Sequence, residues 1–191
     1  MISLAFFLIS SLACVISANM IKNDPIHVID IIHHHIPHIK LTYLSDILVL
    51  AQTALTVVVV DTKSLAEILL IMGITQIFRC CCSLSTALPP LKQYSEKYRL
   101  GGINGSGSEY IFSGHASYSA LGAIYLYKKD FIGLFPLLIY NLISQLAIVV
   151  TRNHYTVDIV LAWIIVPLVW GNIYFCTHNK ECLSNIKFLL Y

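Results

Sequence analysis

Charge is what this chain has least of. Only 12% of its 191 residues are Asp, Glu, Lys or Arg, against 57% hydrophobic, and its mean hydropathy is +0.75. A soluble domain carries about twice that share of charge, so the composition excludes an ordinary water-soluble protein and points to a bilayer. Twelve basic residues against ten acidic leave a net charge of +2, and the basic residues are scattered, which excludes a nucleic-acid partner. Cysteine is present without ligand spacing: Cys80, Cys81 and Cys82 are consecutive, while Cys14, Cys176 and Cys182 stand far apart. That pattern is no ligand pattern and fixes no redox compartment, and most of the six read as small core residues, with acylation of Cys176 or Cys182 a minor alternative. Internal repeats are missing, and the one biased segment is a histidine cluster.

What is present is a series of apolar runs. About 20 apolar residues cross a hydrocarbon core as a helix, and six candidate spans are expected at about 1–21, 46–61, 64–83, 110–127, 131–151 and 155–176. The predicted fold is therefore all-α, a six-transmembrane-helix bundle forming a single membrane domain over 1–191. The first run lacks a basic leader and a clear cleavage site, so a retained helix is expected rather than a signal peptide. Between the first two runs lies a polar loop with Asp24, Asp30, His27, His33, His34, His35 and His38. Three adjacent histidines cannot all face one ion on regular structure, so an interfacial loop is expected there and no metal is assigned. The stretch 85–109 holds Pro89, Pro90 and four glycines. It follows no strand and opens no nucleotide motif, so it reads as a connector.

Ionisable residues inside apolar runs mark candidate chemistry, because exposing them to lipid costs at least a few kcal/mol. In TRNHYTVDIVLAW, Thr151–Trp163, His154 stands four residues ahead of Asp158. On a helix that spacing lets the carboxylate hold one ring nitrogen and leave the other free, the wiring of an activated nucleophile or general base. In FSGHA, Phe112–Ala116, Ser113 is the expected N-cap and His115 falls in the first helical turn, where the positive helix end attracts anions. Arg79, near the end of the third run, and Arg152 are candidate clamps for a phosphate. With six spans, the loops carrying His115 and His154 emerge on one membrane face. Two histidines and a carboxylate there suit phosphoryl transfer.

FSGHA together with TRNHYTVDIVLAW resembles the paired motifs of the sphingomyelin synthase family, a branch of the lipid phosphate phosphatase superfamily. The similarity is best over about 79–170 and extends to LSTALPP, Leu84–Pro90. The resemblance implies a catalytic triad of His115, His154 and Asp158 on six spans, with both termini cytosolic and the site facing the lumen or cell exterior in Golgi, endoplasmic reticulum or plasma membrane. It implies a glycerophospholipid donor, a ceramide or diacylglycerol acceptor, no cofactor, and leaves a homo-oligomer open. The expected activity moves phosphocholine or a related head group to ceramide through a phosphohistidine. The alternatives are a phosphatidylcholine:diacylglycerol cholinephosphotransferase, a lipid phosphate phosphatase and, last, a non-catalytic lipid-binding membrane protein. Ser113, Gly114, Tyr155 and Glu109 are expected to shape the site.

Two departures stand out. Glu109 occupies a position where many relatives carry aspartate. Ile148 stands six residues before His154, where lipid phosphatases carry an arginine, which argues against a plain phosphatase. The extension that precedes the first span in some animal members is not seen, so no regulatory domain is expected.

Overall fold

The computed structural model describes residues 2–20, 28–41, 43–86, 88, 91 and 111–179. Among them the chain forms seven helices and no strand: α1 Ile2–Met20, α2 Ile31–His35, α3 Leu44–Val59, α4 Thr62–Ser85, α5 Gly114–Lys128, α6 Leu134–Val150 and α7 Thr156–His178. The all-α expectation holds, and six of the helices occupy the six apolar runs. Two of them, α4 and α7, are long and apolar enough by themselves to cross a membrane. The fifteen residues of α5 reach only about 22 Å at 1.5 Å per residue, so length alone does not make it a span. Its surroundings explain why: α5 packs against α3, α4, α6 and α7, and a helix enclosed by others need not be apolar throughout.

Polarity runs from the inside outward, the reverse of a soluble bundle. Exposed positions on α6 and α7 are Leu138, Leu142, Leu146, Val160, Ile164 and Leu168, while Gln52, Thr75, Gln76, Ser119, Asn141 and Ser144 are buried. A surface so apolar calls for lipid around it, and buried amides and hydroxyls then serve as bonds between helices. Gln52 Nε2 donates to the Ser119 carbonyl at 2.9 Å, and Asn141 Oδ1 lies 2.7 Å from Ser119 Oγ, which joins α3, α5 and α6. On the outer side α1 lies along α4, and a Cβ at Gly73 would sit 2.5 Å from Phe6 Cδ1. Only a glycine allows that approach.

Helix ends follow local chemistry. Asp61 caps α4 through Ser64 N at 3.0 Å, and Ser113 caps α5 through Ala116 N at 3.2 Å. The expected span at 110–127 thus begins at Gly114, because Ser113 is the residue that starts the helix. Pro136 falls in the first turn of α6, where its missing N–H would have no intrahelical partner. At the end of the bundle away from residue 114, Tyr125 Oη donates to Glu67 Oε2 at 3.0 Å, and Lys129 Nζ lies 3.2 Å from Asp61 Oδ1. Glu67, an ionisable residue within a span, is therefore held by a structural bond. Cys176 is disulfide-bonded, which removes it as a thiol to acylate.

The polar loop before α3 was expected to be irregular, yet it contains α2, started by Asp30 accepting from His33 N at 3.1 Å. Five residues are too few for helical periodicity to show in a sequence. Among the described residues no group of three or more His, Cys, Asp or Glu is arranged around a metal position. His27, Glu109 and the glycine-rich connector lie outside the described residues.

Candidate active site

The start of α5 and the start of α7 are stitched together through their backbones. Ser113 N donates to the Asp158 carbonyl at 3.0 Å, and this bond brings the two motifs side by side. His115 and His154 face each other edge-on, with ring centroids 5.7 Å apart and an interplanar angle of 60°. At that distance the two imidazoles are direct neighbours, so a group bound at one lies beside the other.

Each imidazole has a carboxylate behind it. Asp158, fully buried, places Oδ2 3.7 Å from His154 Nδ1 and accepts the Tyr155 N–H at 3.1 Å on the same oxygen. The backbone bond fixes that carboxylate oxygen, which at 3.7 Å is an electrostatic neighbour of His154 Nδ1, beyond hydrogen-bond length. His115 Nε2 lies 2.7 Å from Asp46 Oδ1. Asp46 is in the first turn of α3 and did not figure among the residues expected in the site. Its signal was available: it is a carboxylate at the very start of the apolar run 46–61. Beside it, Ser45 Oγ is hydrogen-bonded to Asn153 Nδ2, both buried. The tip of α3 therefore holds His115 directly and the His154 loop through Asn153.

Arg79 lies behind the first motif. It is 9% exposed, with Nε donating to the Phe112 carbonyl at 2.8 Å and Nη1 to Gln76 Oε1 at 2.8 Å. A Cβ at Gly114 would meet Arg79 Nη1 at 3.1 Å and Cζ at 3.4 Å. Glycine at 114 thus lets the guanidinium lie against the first turn of α5, where both a cation and helix N–H groups favour an anion. Gly114→Ala is expected to displace Arg79 by a few tenths of an ångström and lower turnover about tenfold while α5 stays helical. Kinetics on the purified variant, with circular dichroism as the control, check this.

Arg152 has a different setting. Nη2 donates to the carbonyls of His33 and Ile36, the latter at 2.9 Å, so this part of the guanidinium is occupied by α2. Its backbone lies in the left-handed region at φ 59°. There it closes α6, with Arg152 N on the Val149 carbonyl at 3.1 Å and Asn153 N on the Ile148 carbonyl at 3.2 Å. Glycine is the usual residue at this step, and a side chain costs about 1 kcal/mol in that conformation. Tyr155 is buried, its ring stacked on His33 at 6.3 Å between centroids.

Burial, then the neighbouring His115 and Arg79 charges, hold the His154 imidazole well below its ordinary protonation range. His154 is therefore neutral near pH 7. A neutral imidazole beside a carboxylate, a second imidazole whose ring centroid is 5.7 Å away and a buried guanidinium are the groups that nucleophilic displacement at phosphorus with proton transfer to the leaving oxygen requires. No curated protein matches this chain significantly. Residues 108–176, which hold both histidine motifs, match the family model described as PAP2 superfamily C-terminal, a match that supports the lipid phosphate phosphatase superfamily and an enzyme acting on phosphate groups of membrane lipids.

Proposed function

We propose that the protein is a lipid head-group transferase of the sphingomyelin synthase type, passing phosphocholine or a related head group from a glycerophospholipid to ceramide. The observation that carries this reading is the pair of facing imidazoles, each backed by its own carboxylate, with Arg79 against the first motif. His154 Nε2 attacks phosphorus. The bond to the diacylglycerol oxygen breaks, and that oxygen takes a proton from His115, releasing diacylglycerol. His115, now neutral, accepts the proton of the ceramide hydroxyl as its oxygen attacks the phosphohistidine, and His154 leaves with its lone pair restored. Arg79 supplies positive charge to the phosphoryl oxygens, since such transfers depend mainly on positioning and electrostatics. Arg152 supports the loop, and its remaining guanidinium nitrogens share in phosphate binding.

Transfer is favoured over hydrolysis by what surrounds the phosphorus. Ile148 packs in an apolar cluster with Phe112, Ala116, Ile159 and Ala162, so the position that carries arginine in lipid phosphatases adds no charge and helps keep water out. The six long helices serve as six crossings, the shorter ones lying among lipid-facing neighbours, with the site at the surface that faces lumen or exterior.

The deciding experiment offers the purified protein a fluorescent ceramide with choline, ethanolamine and inositol phospholipids in turn, and the same donors with fluorescent diacylglycerol. Phosphorylated ceramide is the expected product. Phosphatidylcholine made from diacylglycerol alone would move the assignment to the cholinephosphotransferase. Dephosphorylated lysophosphatidate with no transfer product would move it to a phosphatase.

A pH dependence follows from His154. Its neutral form is the reactive one, and its protonation is suppressed by burial, so activity is retained as pH falls through the ordinary imidazole value of about 6.5. The acid limb of kcat/KM is expected below that value. A limb well above it would contradict the neutral, buried nucleophile.

A further inference from the structure

Asp30 lies 126 residues from Thr156 in sequence, yet its carboxylate grips the first residue of α7. Oδ2 accepts Thr156 N at 2.6 Å, Oδ1 accepts Thr156 Oγ1 at 3.0 Å, and Oδ1 also accepts His33 N at 3.1 Å. The side chain is 8% exposed. Burying a carboxylate is costly unless it is hydrogen-bonded, and here three donors satisfy it. One carboxylate thus caps two helices, α2 from within and α7 from outside.

Two further bonds fasten the same segment to the loop that carries His154. Arg152 Nη2 donates to the carbonyls of His33 and Ile36, and Ile39 N donates to the Val150 carbonyl at 2.9 Å. Residues 30–39 therefore form a strap along 150–156, reaching both flanks of His154. The left-handed backbone of Arg152 fits the same account, since glycine there would relieve the backbone and lose the bonds to α2. His33 adds a buried ring against Tyr155, and its Nε2 has no hydrogen-bond partner. Apolar packing, rather than a bond from that nitrogen, seats it.

We infer that Asp30 is a positioning residue, which through Thr156 fixes the start of α7 and with it the placement of Asp158 and His154. The inference rests on the proposed head-group transfer for its kinetic consequence, but not for its structural one. A nucleophile displaced by about 1 Å can lose on the order of 10²-fold in rate. The histidine-rich stretch then has its role as the strap's body.

Two variants remove the contact from opposite sides. Asp30→Ala removes the acceptor. Thr156→Pro removes both donors while leaving the helix able to start, because proline suits the first helical position and Tyr155 already has the extended backbone that must precede it, at φ −65° and ψ 151°. Each is expected to lower kcat on the order of 10²-fold with KM near wild type. The double variant should be no worse than either single one, since both break the same contact. Asp30→Asn keeps one acceptor oxygen but turns an NH2 toward the backbone N–H of Thr156 or His33, so it should recover only part of the loss. The second readout is modification of His154 by diethyl pyrocarbonate, followed by peptide mass spectrometry on folded protein, expected to be at least several-fold faster in both single variants.

Wild-type modification rates in Asp30→Ala and Thr156→Pro would overturn the inference, as would additive losses in the double variant. Faster modification in a protein whose wild type transfers no head group would uphold the strap and overturn the assigned reaction instead.

Discussion

His154→Ala is expected to abolish head-group transfer, with kcat falling by at least about 10³-fold. Removing a nucleophile removes the covalent route altogether, and what survives comes from binding and electrostatics alone. The loss should be the same for every donor and acceptor, because both half-reactions pass through the same nitrogen. Folding should survive: the α6–α7 turn is held by Arg152 N and Asn153 N on the α6 carbonyls and by the Tyr155 N–H on Asp158, and none of these uses the imidazole. Assay of transfer with fluorescent ceramide, with size-exclusion elution as the control, checks the prediction. Activity within tenfold of wild type would show that another group attacks phosphorus.

His115→Ala should be nearly as damaging with a natural donor, about 10²- to 10⁴-fold, the range of a lost general acid or base. Its signature differs. Protonating the departing oxygen matters most when that oxygen is a poor leaving group, so a nitrophenyl phosphocholine donor should restore much of the first half-reaction in His115→Ala and none of it in His154→Ala. Burst kinetics of nitrophenol release separate the two. Asp46→Asn should fall between wild type and His115→Ala, since the carboxylate at 2.7 Å orients the acid without being it.

The residues whose roles are local were the ones legible in the sequence. His154 and Asp158 are four apart, Ser113 is a capping residue two before His115, and the apolar runs are long enough to give helices by composition. Their convergence follows from the sequence only on the expectation of six alternating spans, of which α4 and α7 are long and apolar enough by themselves. Partners from distant segments were not legible. Asp46 meets His115 across 69 positions, Asn153 meets Ser45 across 108 and Asp30 meets Thr156 across 126. Nothing in local spacing encodes which carboxylate at a helix edge will face which ring. Arg152 illustrates the same limit: an arginine beside a catalytic loop suggests an anion clamp, while its left-handed backbone and its bonds to two carbonyls of the α2 segment exist only in three dimensions. The helix α5 starts at Gly114 rather than near 110 for a related reason. A helix enclosed by four others can be short and partly polar, which a reading based on apolar runs extends toward a full span.

The two carboxylate-backed imidazoles bear on the question of water. With His115 held by the tip of α3 and His154 by the α6–α7 turn, the rings belong to separate elements that meet at one place. The start of α3 also bonds the His154 loop through Ser45 and Asn153, so one helix tip holds both imidazoles. That link suits the proposed transfer, in which the intermediate would wait for a second lipid rather than react with water.

The stereochemistry at phosphorus tests the central claim most directly. A donor whose head-group phosphate is chiral by oxygen isotopes is given to the protein with ceramide, and the configuration of the product is determined. Attack by His154 followed by attack on the phosphohistidine is two inversions, so net retention is predicted. Net inversion would mean that the acceptor displaces diacylglycerol in one step, and His154 would then be no nucleophile.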